Sequence, residues 1–396
     1  MIFLKSKDIK LIVGSKIIKR KNFTPFKKNN IEFLSELSRN ILSKKEFIKY
    51  TDLITFAFWC RKNNIISKVN EIGNEKFRKG LGAILHIPPS NTPIALAYSF
   101  VFGLLSGNSN IVRISDTKLK NIELLLNLIQ KLLKKKKFKE ISNNNAFIFY
   151  NKETTVSDYL SKLVDGRIIW GGEKTVKVFK QMETKNSCKD IFFDDKYSIS
   201  IIDYKKFELM SEKKKDKLIK NFYNDTFVMD QNACSSPHSI FWINRSKSKK
   251  NIFWKKLNKL AKKKYQFSKE MQNLKYYRIN KIVFNSKNLQ ESINLERISV
   301  FKLKNLNTDL TNLRGFGGVF FENDIKKIDD LKKVINEKYQ TITYSGVSKN
   351  ELTTFANNLE INGISRIVPI GQAIDMDIIW DGKNLVNELT KILEVK

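Results

Sequence analysis

Residues 82–116 read GAILHIPPSNTPIALAYSFVFGLLSGNSNIVRISD. Gly82 to Ile87 is an apolar run of strand length, and Pro88 and Pro89 break it. Thr92 can cap a helix with Pro93 at its first position. Apolar residues fill that helix from Ile94 to Leu105, and Gly107-Asn108 ends it. Asn110 to Ile114 is a second apolar strand. Strand, helix and strand in immediate succession make a parallel crossover unit.

The same alternation extends on both sides. Downstream, the pattern predicts an amphipathic helix over Asn121–Leu133 and a strand at Ala146–Tyr150. A polar helix follows from Thr155, then a strand at Arg167–Trp170, a helix after Gly171-Gly172 and a fifth strand at Tyr197–Ile202. Upstream lie a strand at Leu11–Val13 and helical segments between residues 31 and 70. Beyond residue 210 come a helix through Lys213–Lys217, a loop at 230–238, a strand at Ser239–Ile243 and Lys-rich helices over 249–275. Short strands and helices continue to Ile370. The fold class is therefore α/β, with a doubly wound parallel sheet and a second α/β unit. The 396 residues suit two or three domains at roughly 100–200 residues each.

Hydrophobic residues make up 41% of the chain and include 28 Phe, enough to exclude a disordered protein. The charge is strongly positive, with 73 Lys+Arg against 40 Asp+Glu. This raises a polyanion- or membrane-surface-binding protein as one reading. Only 11 of those bases are Arg, whereas specific phosphate and base recognition favours the guanidinium fork. The Lys are also scattered, so no specific nucleic-acid role is expected. The Lys134–Lys137 run reads as a solvated helix face. Three Cys at wide spacing and two His predict neither a disulfide framework nor a metal site. Reduced thiols suggest the cytoplasm. The N-terminus has no signal-peptide pattern, and the longest apolar run, Ile94 to Leu105, is too short to span a bilayer.

Four stretches can carry chemistry. Asn91 sits where a strand meets a Pro-rich turn, a usual ligand position in open α/β sheets. Its amide either donates to a developing oxyanion or caps the next helix. Arg113, Ser115 and Asp116 follow the second strand and suit sugar hydroxyls or phosphate, or are ordinary strand-end polar residues. Gly171, Gly172 and Thr175 open a helix after a strand, a weak phosphate or ribose cradle. In DQNACSSPH, residues 230–238, Cys234 lies among small polar neighbours that leave room for a carbonyl substrate. Cys60 and Cys188 lack that setting. His238 is a candidate acid or base, although Pro237 breaks a helical relation to Cys234.

Taken in order, these stretches resemble the aldehyde dehydrogenase superfamily. Asn91 matches its oxyanion Asn, and Arg113-Ile114-Ser115-Asp116 stands at its Lys-Pro-Ser-Glu. Gly171-Gly172 matches its Gly-Ser turn, and Asp230-Gln231-Asn232-Ala233-Cys234 its nucleophile motif with one extra residue. From about residue 75 onward, DQNACSSPH, PPSNTPIALAYSFVFGLLSGNSNIVRISD and ISRIVPIGQAIDMDIIWDG resemble the LuxC-type acyl-CoA reductases more narrowly. Residues 1–74 carry no recognised motif.

The resemblance implies an aldehyde-dehydrogenase-like fold of two doubly wound domains. One, at 1–205 with 366–396 returning to it, would bind a nicotinamide cofactor. The other, at 206–365, would carry the nucleophilic Cys234. It implies NADPH, with NADH open, lining against Arg113, Ser115, Asp116, Gly171, Gly172 and Thr175. The substrate would be an acyl-CoA or an acylated partner protein, reduced to an aldehyde through an acyl-cysteine. An acyl-protein synthetase is the expected partner, and a homo-oligomer is left open. The superfamily's water-activating Glu is matched by Phe192, with Asp194 and Asp195 close behind. That departure favours acyl reduction over aldehyde oxidation. An idle assembly subunit is the remaining reading, and an intact Cys234 and Asn91 weigh against it.

Overall fold

The computed structural model describes residues 1–69, 77–89, 94–115, 119–245, 251–306 and 309–396. Asn91, Thr92, Pro93 and Asp116 lie outside the described residues. Contacts divide the chain into Met1–Asp194 with Met376–Lys396, and Asp195–Asp375.

The first unit holds a six-stranded sheet. Its strands are β1 (Lys10–Gly14), β2 (Ala83–Ile87), β3 (Ser109–Ile114), β4 (Asn145–Phe149), β5 (Gly166–Trp170) and β6 (Lys189–Phe193). They lie in the order β1-β4-β3-β2-β5-β6. Every pair is parallel except β1 with β4. Helix α1 (Ala95–Leu105) joins β2 to β3 and is buried along its whole length, as its apolar circumference requires. The helix Thr51–Trp59 covers it through edge-on ring contacts, Phe56 to Tyr98 at 5.2 Å and Trp59 to Phe102 at 5.7 Å. Gly103 lets α1 lie close on β3, because a Cβ there would come within 2.0 Å of Asn110 Oδ1.

A buried polar chain runs beneath this contact. His86 Nδ1 meets Ser99 Oγ at 2.8 Å, its Nε2 meets Asn110 Oδ1 at 2.9 Å, and Asn110 donates to Asn145 Oδ1 at 2.6 Å. Burial holds His86 down to about 4, so it stays neutral and structural. The C-terminal segment belongs to this unit, where Thr390–Ile392 pairs antiparallel with Arg78–Gly80.

The second unit holds seven strands. They are β7 (Tyr197–Asp203), β8 (Pro237–Ile243), β9 (Leu289–Asn294), β10 (Ser299–Leu303), β11 (Val319–Ile325), β12 (Tyr339–Ser345) and β13 (Arg366–Pro369). Their order is β9-β10-β11-β8-β7-β12-β13, parallel except at the β9–β10 edge. Consecutive residues feed two cores. Ile240, Trp242 and Phe320 pack on one face, while Phe241 and Phe321 pack on the other. Both faces are thus covered, as a parallel sheet demands.

Two expectations change here. Tyr197–Ile202 is not a fifth strand of the first sheet. It pairs with β8 and β12 near the middle of the second. The boundaries accordingly fall after Asp194 and Asp375 rather than near 205 and 365. An apolar run identifies a buried strand but not the sheet that receives it. The sixth strand of the first sheet is instead β6, whose short KDIFF run carries only a weak strand pattern.

Glu322 on β11 is the charged hub of the second unit. Its Oε2 accepts from Trp242 Nε1, Trp254 Nε1 and Arg245 Nη1, each at 2.8 Å. The side chains of Arg245 and Glu322 are only 1% and 4% exposed. Glu322→Ala would leave a buried guanidinium with only its partner Asp324. Equilibrium urea unfolding of this variant is expected to show a loss of about 3–5 kcal/mol, whereas an exposed pair such as Lys332–Asp329 should cost under about 1 kcal/mol.

Candidate active site

In the first unit the chain moves outward from β2 through β3 to β4, then resumes on the other side of β2 with β5 and β6. The reversal leaves a crevice beyond the carboxyl ends of β2 and β5, where open α/β sheets bind ligands. A cavity of about 700 Å³ lies there, lined among others by Ile87, Pro88, Arg113, Ser115, Gly171 and Thr175. Five of the predicted cofactor positions, Arg113, Ser115, Gly171, Gly172 and Thr175, therefore come together. Asp116 and Asn91 fall outside the described residues.

Arg113 is more buried than a free phosphate ligand, at 6% exposure. Its guanidinium lies over the Tyr150 ring at 5.1 Å and donates to the Tyr150 carbonyl at 3.3 Å. Gly171 donates its N–H to Phe193 O at 3.0 Å. Gly172 precedes helix α2 (Glu173–Gln181), and a Cβ there would meet nothing within 4 Å. Trp170 stacks on Phe193 at 4.0 Å, and its Nε1 reaches Ser99 Oγ at 3.3 Å. Lys152, Ser157 and Asp158 also line the cavity. Sequence reading passed over them, although their place just beyond the carboxyl end of β4 is a signal of the same kind. An open helix start, a flat indole and exposed Lys152 and Lys174 suit an aromatic ligand bearing phosphates.

In the second unit, the loop 228–236 links helix α3 (Glu212–Phe227) to β8. Asp230 and Gln231 both take left-handed backbone, at φ 53° and 59°, an uncommon conformation for side-chain-bearing residues. Side chains hold it. The Gln231 amide donates to Val319 O at 3.0 Å and accepts from Gly318 N at 2.9 Å. Asp230 accepts from Tyr265 OH at 2.5 Å, and burial pushes its carboxyl up. Ser236 Oγ donates to Asp225 O at 2.7 Å. The Cys234 carbonyl accepts from Ser198 Oγ at 2.7 Å. Asp225, missed in the sequence, accepts from Gly371 N at 2.6 Å and Ala373 N at 3.0 Å, so the segment after β13 hangs on the same helix end. Burial pushes Asp225 up to about 7.

The three thiols have different surroundings. Cys60 is fully buried and its thiol is pushed well up. Cys188 is pushed up to about 11, first by burial and then by Asp190. Cys234 is half-exposed on its clamped loop.

His238 does not fit a proton-transfer role. Its Nδ1 accepts the Gly315 N–H at 3.1 Å, so the remaining ring proton sits on Nε2. The ring stacks on Tyr197 at 5.1 Å. Burial first, then Arg314 and Arg278, holds it down to about 3. Gly315 approaches so closely that a Cβ would fall 1.8 Å from Val319 O. Phe192 packs within the first unit. Strand alternation turns it toward α2, with Lys180 Nζ 5.4 Å from its ring centre, while Phe193 takes the stack on Trp170. Asp195 pairs with Arg314 at 2.9 Å.

No helix among the described residues is long and apolar enough to cross a membrane. A family model described as acyl-CoA reductase (LuxC) matches residues 66–392. No curated protein matches the sequence. Solved structures of like fold include a glyceraldehyde-3-phosphate dehydrogenase, GapN, from Methanocaldococcus jannaschii complexed with NADP. It is 13% identical, with 92% of this chain and 88% of that one covered and a TM-score of 0.66. Aldehyde dehydrogenase 21 from Physcomitrella patens, in complex with succinate, is 11% identical over 92% and 85% of the two chains, with a TM-score of 0.64. Betaine aldehyde dehydrogenase from Staphylococcus aureus with NAD+ is 13% identical over 86% and 74%, with a TM-score of 0.61. At these identities the likeness is one of fold.

If His238 is only a buried acceptor, His238→Gln, which retains an acceptor for Gly315 N–H, should leave the limbs of the pH–rate profile unmoved. A limb between about pH 5.5 and 7.5 that vanishes in the variant would restore the imidazole to the chemistry.

Proposed function

The chain belongs to the LuxC family of acyl-CoA reductases, with the fold of the aldehyde dehydrogenases, and from this premise we propose that it reduces fatty acyl thioesters to aldehydes with NADPH through an acyl-Cys234 intermediate. The observation that carries the reading is the setting of Cys234. It is the one thiol on a half-exposed loop whose left-handed turn, Gln231 clamp and Ser198 bond hold it in one conformation.

Cys234 Sγ attacks the thioester carbonyl, and the carbon–sulfur bond to the donor breaks with release of the donor thiol. The backbone N–H of Cys234 and the Asn91 amide are the proposed oxyanion donors. Thiols are good leaving groups at neutral pH, so neutral His238 is not needed to protonate one. The cavity beside Gly171 and Gly172 suits the dinucleotide, with Arg113, Ser115 and Thr175 along it. A reduced nicotinamide held there would supply hydride to the acyl carbon, and collapse of the resulting thiohemiacetal would release the aldehyde and return Cys234 as the thiol. Lys152 and Lys174 at the same cavity support the extra phosphate of NADPH, while Glu153 and Asp158, which also line it, oppose it. Asp195 is tied to Arg314, which disfavours it as the base for hydrolysis of the acyl-enzyme. An acyl-protein synthetase remains the proposed supplier where the donor is an acylated protein.

Three measurements test this. Radioactive acyl-CoA should label the wild type, Cys60→Ala and Cys188→Ala covalently, but not Cys234→Ala, which should also lose turnover. Undiminished turnover in Cys234→Ala would end the mechanism. The ratio of kcat/KM for NADPH over NADH should exceed one, and equal or inverted values would refute that preference. Asn91→Ala should lower kcat by about 10²–10³, the loss of one oxyanion donor. Retained kcat with a loss of about 1 kcal/mol in stability would make Asn91 a helix cap.

A further inference from the structure

We propose that the outward face of helix α4 (Lys269–Asn285) docks this chain on the surface of an anionic lipid bilayer. The proposal concerns the exterior of the second unit and does not depend on the chemistry of Cys234.

One side of α4 is committed to its own unit. Ile279 and Ile282 pack into a core, Lys275 donates to Arg297 O at 2.8 Å, and Arg278 lays its guanidinium over the Phe316 ring at 4.6 Å. The other side carries Tyr276, Tyr277, Val283 and Phe284, all exposed, and Phe284 is 95% exposed. Their spacing along the helix gathers them on one stripe, with Asn280 and Lys281 between them. Single exposed apolar residues need no explanation, whereas neighbouring rings on one stripe mark an interaction surface.

The charge around the stripe has one sign. Residues 271–290 contain no carboxylate and four cations, Lys275, Arg278, Lys281 and Lys287. Lys281 stands on the stripe and Lys287 just beyond the helix, both exposed. A third exposed lysine is brought to the same end. Lys304 donates its N–H to Asn288 O, and Asn305 donates its N–H to Asn288 Oδ1, each at 2.8 Å. Lys281, Lys287 and Lys304 have no ion-pair partner among the described residues. The flanking carboxylates are Glu270, in the first turn at the other end of α4, and Glu291 on β9.

This charge selects the occupant. A second copy would bring the same lysines, on a chain of net charge +33, against one another, and like charges oppose that contact. A protein partner must supply a fitted pocket for each projecting ring. A fluid interface receives rings at any spacing. Tyrosine sits there with its hydroxyl among the headgroups, phenylalanine reaches the acyl chains, and lysine stems extend back to the lipid phosphates. Each lysine near an anionic leaflet adds an attraction that salt screens.

The test is cosedimentation of the full chain with vesicles of phosphatidylcholine alone and with vesicles in which about one third of the lipid is phosphatidylglycerol. The anionic vesicles should bind more tightly, and added salt should erase the difference. Phe284→Ser should lower the partition coefficient about 10- to 100-fold, as for one large apolar side chain left in water, while Phe284→Leu keeps most of the binding. Lys281→Gln and Lys287→Gln should each lower it about fivefold, on anionic vesicles only. Leu209→Ser, at a residue 79% exposed and off α4, should change nothing. Thermal melts establish that each variant is folded. Undiminished binding by folded Phe284→Ser, an equal loss in Leu209→Ser, equal binding to neutral and anionic vesicles, or no vesicle binding at all overturns the proposal. Sedimentation equilibrium without lipid covers the second copy. Self-association that Phe284→Ser abolishes, in a chain that leaves vesicles unbound, assigns the stripe to a second copy instead. Binding to soluble poly-glutamate that needs Phe284 as much as vesicle binding does assigns it to an acidic protein, which also overturns the lipid surface.

Discussion

Gln231 spends both ends of its side-chain amide on backbone, accepting from Gly318 and donating to Val319. This contact adds to the backbone bonds that tie the Cys234 loop to the end of α3, among them Gln231 N–H to Thr226 O and Asn232 N–H to Met229 O, each at 2.8 Å. Asp230 and Gln231 are both left-handed, a conformation that persists only where the surroundings hold it. The same clamp fixes the glycine segment at the head of β11, and with it the Gly315 N–H on His238. A glutamine in the turn thus ties the Cys234 loop to the glycine segment that also reaches His238 through Gly315.

Each unit is organised round one buried polar hub. In the first it is the His86–Ser99–Asn110 chain beneath α1, and in the second it is Glu322 between two indoles and a guanidinium. Both histidines of the chain are consumed in such structural bonding. The protein therefore has no free imidazole near neutrality, and its chemistry suits substrates that need little proton assistance. Thioesters meet that condition, since the group expelled is itself an acceptable anion in water, whereas esters and amides do not.

The sequence made the strand–helix alternation legible because Pro and Gly bracket each apolar run. The crevice residues followed, since they lie at predictable strand ends. Three things were not legible. The sheet that receives β7 depends on tertiary pairing, which an apolar run does not encode. The state of His238 depends on Gly315, which lies far along the chain and shows no pattern linking the two. The pairing of Arg314 with Asp195 joins residues far apart along the chain, each unremarkable among so many charged residues. Lys137 illustrates the opposite case, since the Lys134–Lys137 run reads as a solvated face and one member still closes on Glu36 at 2.7 Å. Asn91 and Asp116 stay as the sequence left them.

Of the five tryptophans, Trp59, Trp242, Trp254 and Trp380 are buried in cores, and only Trp170 stands at the wall of the crevice. Its indole is stacked on Phe193 and oriented by Ser99, so its ring plane is fixed before any ligand arrives. Dihydronicotinamide absorbs where indole emits. The molecule thus carries its own optical gauge: energy transfer reaches every indole within range, and the part of the quenching that is lost with Trp170 would count crevice occupancy.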